Sequence, residues 1–234
     1  PTGSQALVVL LGERPLHTFV EARAEASVHA SSAFLCGTRQ TPLIISTALG
    51  PTVGVHFKPG GARRFFDVPA DALTGQVVPL EALWGRSARS LREQLQEAPS
   101  QLDRVHVLEA ALLRRARSGF AMNPTLQLAL AAFEEPELAS VAEVNQRTGR
   151  AAKRRWARGG VQGGLSPKAF WRVRRFRAAL RDLEQGGRGA GLAHQHGYCD
   201  QAHFLREFRA FAGSNPREYF EARVIGTDHV SVYR

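Results

Sequence analysis

Residues 192–216 read Leu192-Ala-His-Gln-His-Gly197-Tyr198-Cys199-Asp200-Gln201-Ala202-His203-Phe204-Leu205-Arg206-Glu207-Phe208-Arg209-Ala-Phe211-Ala-Gly213-Ser-Asn-Pro216. Leu192 and Ala193 close a short apolar helix, and Gly197-Tyr198-Cys199 makes a tight turn. Asp200 is suited to N-cap a second helix, because its carboxylate accepts from the unpaired amides of a first turn. At 3.6 residues per turn Phe204, Phe208 and Phe211 share one face and pack inward. Gln201, Ala202, Leu205, Arg206 and Arg209 are left on or beside the opposite face. Gly213 and Pro216 are expected to stop the helix. Two short helices joined through a glycine turn, the second exposing Gln and Arg, make a helix-turn-helix. Arg pairs bidentately with guanine and Gln with adenine in the major groove.

Upstream, Ser166-Pro167 opens a long helix in which Phe170, Val173, Phe176, Leu180 and Leu183 form one apolar stripe. Arg172, Arg174, Arg175 and Arg181 fall mostly off that stripe, and Gly186-Gly187 ends it. Asn123-Pro124 reads as an N-cap with proline at the first helical position, and a further helix runs from Ser140 to Thr148, closed by Gly149. Residues 86–122 read as a helical connector. Leu91, Leu95 and Leu102 form one stripe, Val105, Leu108, Leu112 and Leu113 a second, and Pro99-Ser100 separates them. Residues 1–85 read as strands. Ala6–Leu11 and Pro42–Thr47 are short branched runs, and Val53, Val55 and Phe57 alternate with Gly54 and His56. The expected fold class is α+β: a β-rich, partly barrel-like domain (1–85), the helical connector (86–122), an all-α double helix-turn-helix domain (123–224) and a tail (225–234).

The charge follows the same division. Residues 1–140 carry 13 Lys or Arg and 13 Asp or Glu, whereas residues 141–234 carry 18 and 8, so the whole net charge of +10 lies in the second part. A neutral half joined to a strongly basic half indicates a polyanion-binding module. Cys36 and Cys199 follow no paired spacing, so no disulfide scaffold is expected and a reducing cytosol is the expected compartment. The longest apolar run, Ala6–Leu11, is far short of a membrane span, and no charged-then-apolar leader opens the chain. With no initiating Met, Pro1 reads as an internal residue of a longer product.

The pattern Gly197-Tyr198, Asp200-Gln201, His203-Phe204, Arg206-Glu207-Phe208, Gly213 and Pro216 resembles the AraC/XylS family of bacterial transcription regulators. The resemblance extends through Gly164–Phe170 and Arg174–Leu180, which are similar to that family's turn and long linking helix. It implies two helix-turn-helix units, reading adjacent major-groove segments about one turn (~34 Å) apart. Gly54–Gly61 and Val78–Gly85 are similar to a β-rich sensor-type domain that precedes this module in one branch. One departure concerns the first unit. Where the family carries apolar residues six and ten positions after its turn glycine, this chain has Arg155 and Gly159. Asn145 stands where a small apolar residue is usual. Arg150–Gly164 holds a basic run, Trp156 and four glycines, so this unit is expected to attract phosphates rather than read bases.

The sites expected on this reading are Gln201, Ala202, Leu205 and Arg206 for base reading. Lys153, Arg154, Trp156, Arg172, Arg175 and Arg209 are expected to contact phosphates or position helices. The expected partners are double-stranded promoter DNA, a small-molecule effector and a second copy of the chain, with no membrane. Four other readings compete with this one. His194, His196, Cys199 and His203 are metal-ligand types, but His203 and the Gly-Tyr turn already have places in the helix-turn-helix. His17, His29 and His56 raise the same question in the N-terminal part. An enzymatic barrel calls for paired carboxylates or a metal triad in residues 1–85, and none is found. No catalytic residue, metal or cofactor is therefore expected. Non-specific nucleic-acid binding is the remaining alternative.

Overall fold

The computed structural model describes residues 3–14, 16–19, 27–29, 31–45, 50–116, 124, 127, 164–187 and 189–222. Among the described residues the N-terminal part holds seven strands: β1 (Ala6–Leu10), β2 (Leu16–Phe19), β3 (Ser27–His29), β4 (Ala33–Cys36), β5 (Ile44–Ile45), β6 (Thr52–His56) and β7 (Val77–Pro79). They form two antiparallel sheets, ordered β6-β1-β4-β7 and β3-β2-β5. β1 lies inside the larger sheet, with Leu7 opposite both Leu35 and Val55. Alternation along the pleat sends Leu7 and Val9 to one face and Leu10 to the other, where it meets Leu16 and Phe34 between the sheets.

The first face is covered by three helices, α1 (Leu80–Trp84), α2 (Arg86–Glu97) and α3 (Gln101–Arg115). Leu91, Leu95, Leu108 and Ala111 share a core with Leu7, Val9, Leu35, Phe57 and Phe66. The segment read as a connector thus packs onto the sheet. Arg92 ties α2 to the end of β1, donating from Nε to the Leu10 carbonyl and from Nη2 to the Gly12 carbonyl, both at 2.9 Å. Gln96 does the same for the Leu11 carbonyl. The break at Pro99-Ser100 is present, with the Ser100 hydroxyl capping α3 through the Asp103 amide. The two apolar stripes are only partly inward: Leu102, Val105 and Leu113 are exposed. Trp84 and Phe66 stack at 5.1 Å inside this core.

The described helices of the C-terminal part are α4 (Pro167–Glu184), α5 (Gly189–Gln195), α6 (Gln201–Ala212) and α7 (Pro216–Ala222). Ser166 caps α4 through the Ala169 amide, with proline at the first helical position, as the sequence predicts. Phe170, Val173 and Phe176 are buried, with Leu180 and Leu183 packed against the same core. Pro216 departs from expectation, since it opens α7 as well as following α6. Asn215 and Glu218 form a reciprocal cap there, each side chain accepting from the other's amide. Among the described residues no helix is long and apolar enough to cross a membrane. The segment read as a first helix-turn-helix, including Lys153, Arg154 and Trp156, lies outside the described residues.

Candidate nucleic-acid interface

α5, a glycine turn and α6 build the candidate surface. The turn closes when the Gly197 amide donates to the His194 carbonyl and the Tyr198 amide to the Ala193 carbonyl, both at 2.9 Å. Gly197 sits at φ +68°, where a side chain would crowd the following carbonyl. Tyr198 is then turned into the core against Phe204, 5.1 Å between rings. Asp200 caps α6 by accepting from the His203 amide, and Gly213 ends the helix. Phe204, Phe208 and Phe211 are buried, and Phe208 and Phe211 meet Phe176 of α4 at 5.3 and 5.1 Å. Gln201, Ala202, Leu205, Arg206 and Arg209 are all exposed. Geometry thus gathers on one face of one helix the four residues expected to read bases and one expected to meet phosphate. Arg206 and Arg209 have no carboxylate partner among the described residues.

Beneath that face lies a charge that the sequence reading did not single out. Glu207 occupies the buried side of α6 between its phenylalanines, with its side chain only 4% exposed. Arg172 Nε donates to Oε1 and Arg175 Nη2 to Oε2, each at 2.7 Å. Arg175 also donates to the Gly197 carbonyl at 3.0 Å. Its guanidinium lies between the Tyr198 and Trp171 rings, 3.9 and 4.3 Å from their centroids. Burial pushes the Glu207 carboxyl up, but hydrogen bonds from Arg172 and Arg175 and the charge of Arg175 outweigh it and hold it below the ordinary carboxylate value. Tyr198 is raised by burial first and by the Glu207 charge second, so its phenol stays protonated.

These contacts separate the arginines of the long helix by role. Arg175 is enclosed, bound to α6 and to the turn at once, which fixes the angle at which α6 leaves the turn. Arg172 is half-exposed, bound to Glu207 and lying 5.2 Å over Phe211. Both are joined to α6 through Glu207. Asp182 holds the end of α5 through His196 Nε2 at 2.8 Å and the Gln195 amide. His203 packs edge-on against Tyr198 and accepts from the Cys199 amide. His196 and His203 therefore face different partners, and among the described residues no three metal-ligating side chains come together. A signal for the buried carboxylate was present: Glu207 is three residues after Phe204 and four before Phe211, a charge on an apolar face that requires a buried cation.

Residues 150–222 match a family described as a helix-turn-helix domain. This chain carries an AraC-type helix-turn-helix domain. Residues 1–79 match a domain of unknown function (DUF6597). Comparison with curated proteins gives no match. Among solved structures, three of ToxT from Vibrio cholerae are similar. One, in a P21 crystal form, is 11% identical with a TM-score of 0.48, covering 94% of this chain and 90% of that one. Another, an apo variant from strain SCE256, is 11% identical at 0.48, covering 93% and 89%. The third, from strain O395, is 12% identical at 0.45, covering 94% and 89%. The AraC-type domain makes this protein a DNA-binding transcription regulator, and α5 and α6 lie inside the matched domain.

Proposed function

We propose that α6 enters the major groove and that Gln201, Ala202, Leu205 and Arg206 select the sequence. The observation that supports this is the exposed face of α6, which carries Gln and Arg side chains with no carboxylate partner among the described residues, on the side away from three buried phenylalanines. Arg209, one turn beyond, meets a backbone phosphate, while Arg172 and Arg175 hold the helix at its reading angle through Glu207. Lys153, Arg154 and Trp156 of the first unit are assigned to phosphate attraction and helix positioning. The protein acts by binding rather than by catalysis, and its place is on the chromosome in the cytoplasm.

The N-terminal domain is assigned to sensing or to pairing with a second copy. Leu102, Val105 and Leu113 leave an apolar stripe on α3 that a second α3 would cover. A small-molecule effector acts only if it binds two arrangements of the protein unequally.

Salt dependence tests the electrostatic half of this reading. A module that neutralises six or more phosphates gives a log–log slope of affinity against salt of about −5 or steeper. Anisotropy titration of a random duplex between about 50 and 200 mM salt should show that slope. Binding insensitive to salt would contradict the assignment.

A further inference from the structure

The segment that leads into α4 is seated in a notch of the N-terminal domain. Gly164 has φ +76°, and a Cβ there would stand 2.5 Å from Thr38 Oγ1 and 3.0 Å from the Ala70 carbonyl oxygen. The Thr74 hydroxyl donates to the Gly164 carbonyl at 2.5 Å. Thr38, just past β4, is almost fully buried, and its carbonyl accepts from the Gly75 amide at 2.8 Å, tying the 70–75 turn to the strand end. Leu165, next in sequence, is also buried. Two further contacts join the same bodies. Gly3 lies against Phe170 and Val173 of α4, and Pro42 lies against Gly213 at the end of α6. None of the three involves Gln201, Ala202, Leu205 or Arg206, which stay exposed.

The notch has room only for glycine at 164, and it grips the entry to α4, away from the exposed face of α6. Docking there does not cover the groove-reading side chains. It pins Gly164, at which the segment read as the first unit gives way to the entry of α4. We propose that the Thr38–Thr74 socket around Gly164 is the contact through which the N-terminal domain controls DNA reading. Movement of the 70–75 turn changes the direction in which the first unit is held relative to the second. The regulatory half of this inference rests on the DNA-binding reading above, whereas the docking half does not.

Hydrogen–deuterium exchange on the full chain tests docking without DNA. Thr74→Val keeps side-chain volume and removes the hydroxyl. It should speed exchange roughly five-fold in both 68–76 and 164–170, as expected for one lost hydrogen bond, while 204–211 stays protected. Thr74→Ser should restore wild-type exchange. Gly164→Ala approaches from the other side and should loosen 68–76 although no residue of that domain has changed. Unchanged exchange in 164–170 for Thr74→Val, or in 68–76 for Gly164→Ala, would overturn the socket. For control of reading, Thr74→Val should change affinity several-fold for a duplex carrying the full selected motif and leave a duplex bearing only the second unit's half unaffected. Equal effects on both duplexes would overturn the regulatory half. If the wild type selects no motif, the DNA reading fails while the exchange result stands.

Discussion

Exchanging Glu207 for alanine should destabilise the C-terminal domain by about 3–5 kcal/mol, because it leaves two guanidinium groups facing a site built for a carboxylate. Arg175 is the more costly orphan. Its side chain is 8% exposed and enclosed between Trp171 and Tyr198, so water cannot replace the lost partner. Thermal unfolding followed by circular dichroism checks the loss, and a change below about 1 kcal/mol would show that the pair is dispensable. The same residue carries a pH signature. The folded protein holds the Glu207 carboxyl below its reference value of 4.5. Its contribution is therefore complete above pH 4.5 and disappears as the pH falls through the folded value, since only the unfolded chain readily takes up the proton. Wild-type stability should drop more steeply on that acid limb than that of Glu207→Gln, whose amide does not titrate.

Arg206→Ala produces the largest expected effect on recognition. A bidentate pair with a guanine edge contributes about 1–3 kcal/mol of discrimination, so affinity for the preferred duplex should fall roughly 10- to 100-fold. Affinity for random DNA should change little, because a base contact adds nothing where the wrong base stands. Arg209→Ala should behave in the opposite way, weakening both duplexes alike and reducing the salt slope by about 1. Competition titrations at one fixed salt concentration separate the two. Equal losses on both duplexes for Arg206→Ala would make it a phosphate contact.

The helical half was legible because its signals are local. Ser166-Pro167, Asp200 and Gly213 mark helix ends through caps that depend on neighbouring residues alone. Phe204, Phe208 and Phe211 name the buried face by spacing. Pro216 misled, since a proline that ends one helix equally starts the next, and Asn215 with Glu218 carried the cap that decides. In the β-rich half, β1 and β6 showed runs or alternation, whereas Ala33–Cys36 is buried at three successive positions and offers no period to read. Val77-Val-Pro79 is too short, and its pairing with Phe34, Leu35 and Cys36 spans more than forty residues. The exposed face of α6 was visible from sequence, but the cations that meet Glu207 beneath it were not. Arg172 and Arg175 look like solvated groups on a basic helix, and only the meeting of α4 with α6 brings them to Glu207.

The central claim is that α6 selects sequence and does not merely attract charge. Selection of bound duplexes from a random library by the full chain, at physiological salt, tests it most directly. One motif should be enriched, and it should lose its guanine preference when Arg206 is replaced by alanine. Tight, salt-sensitive binding with no enriched sequence would contradict it and leave a non-specific DNA-binding protein.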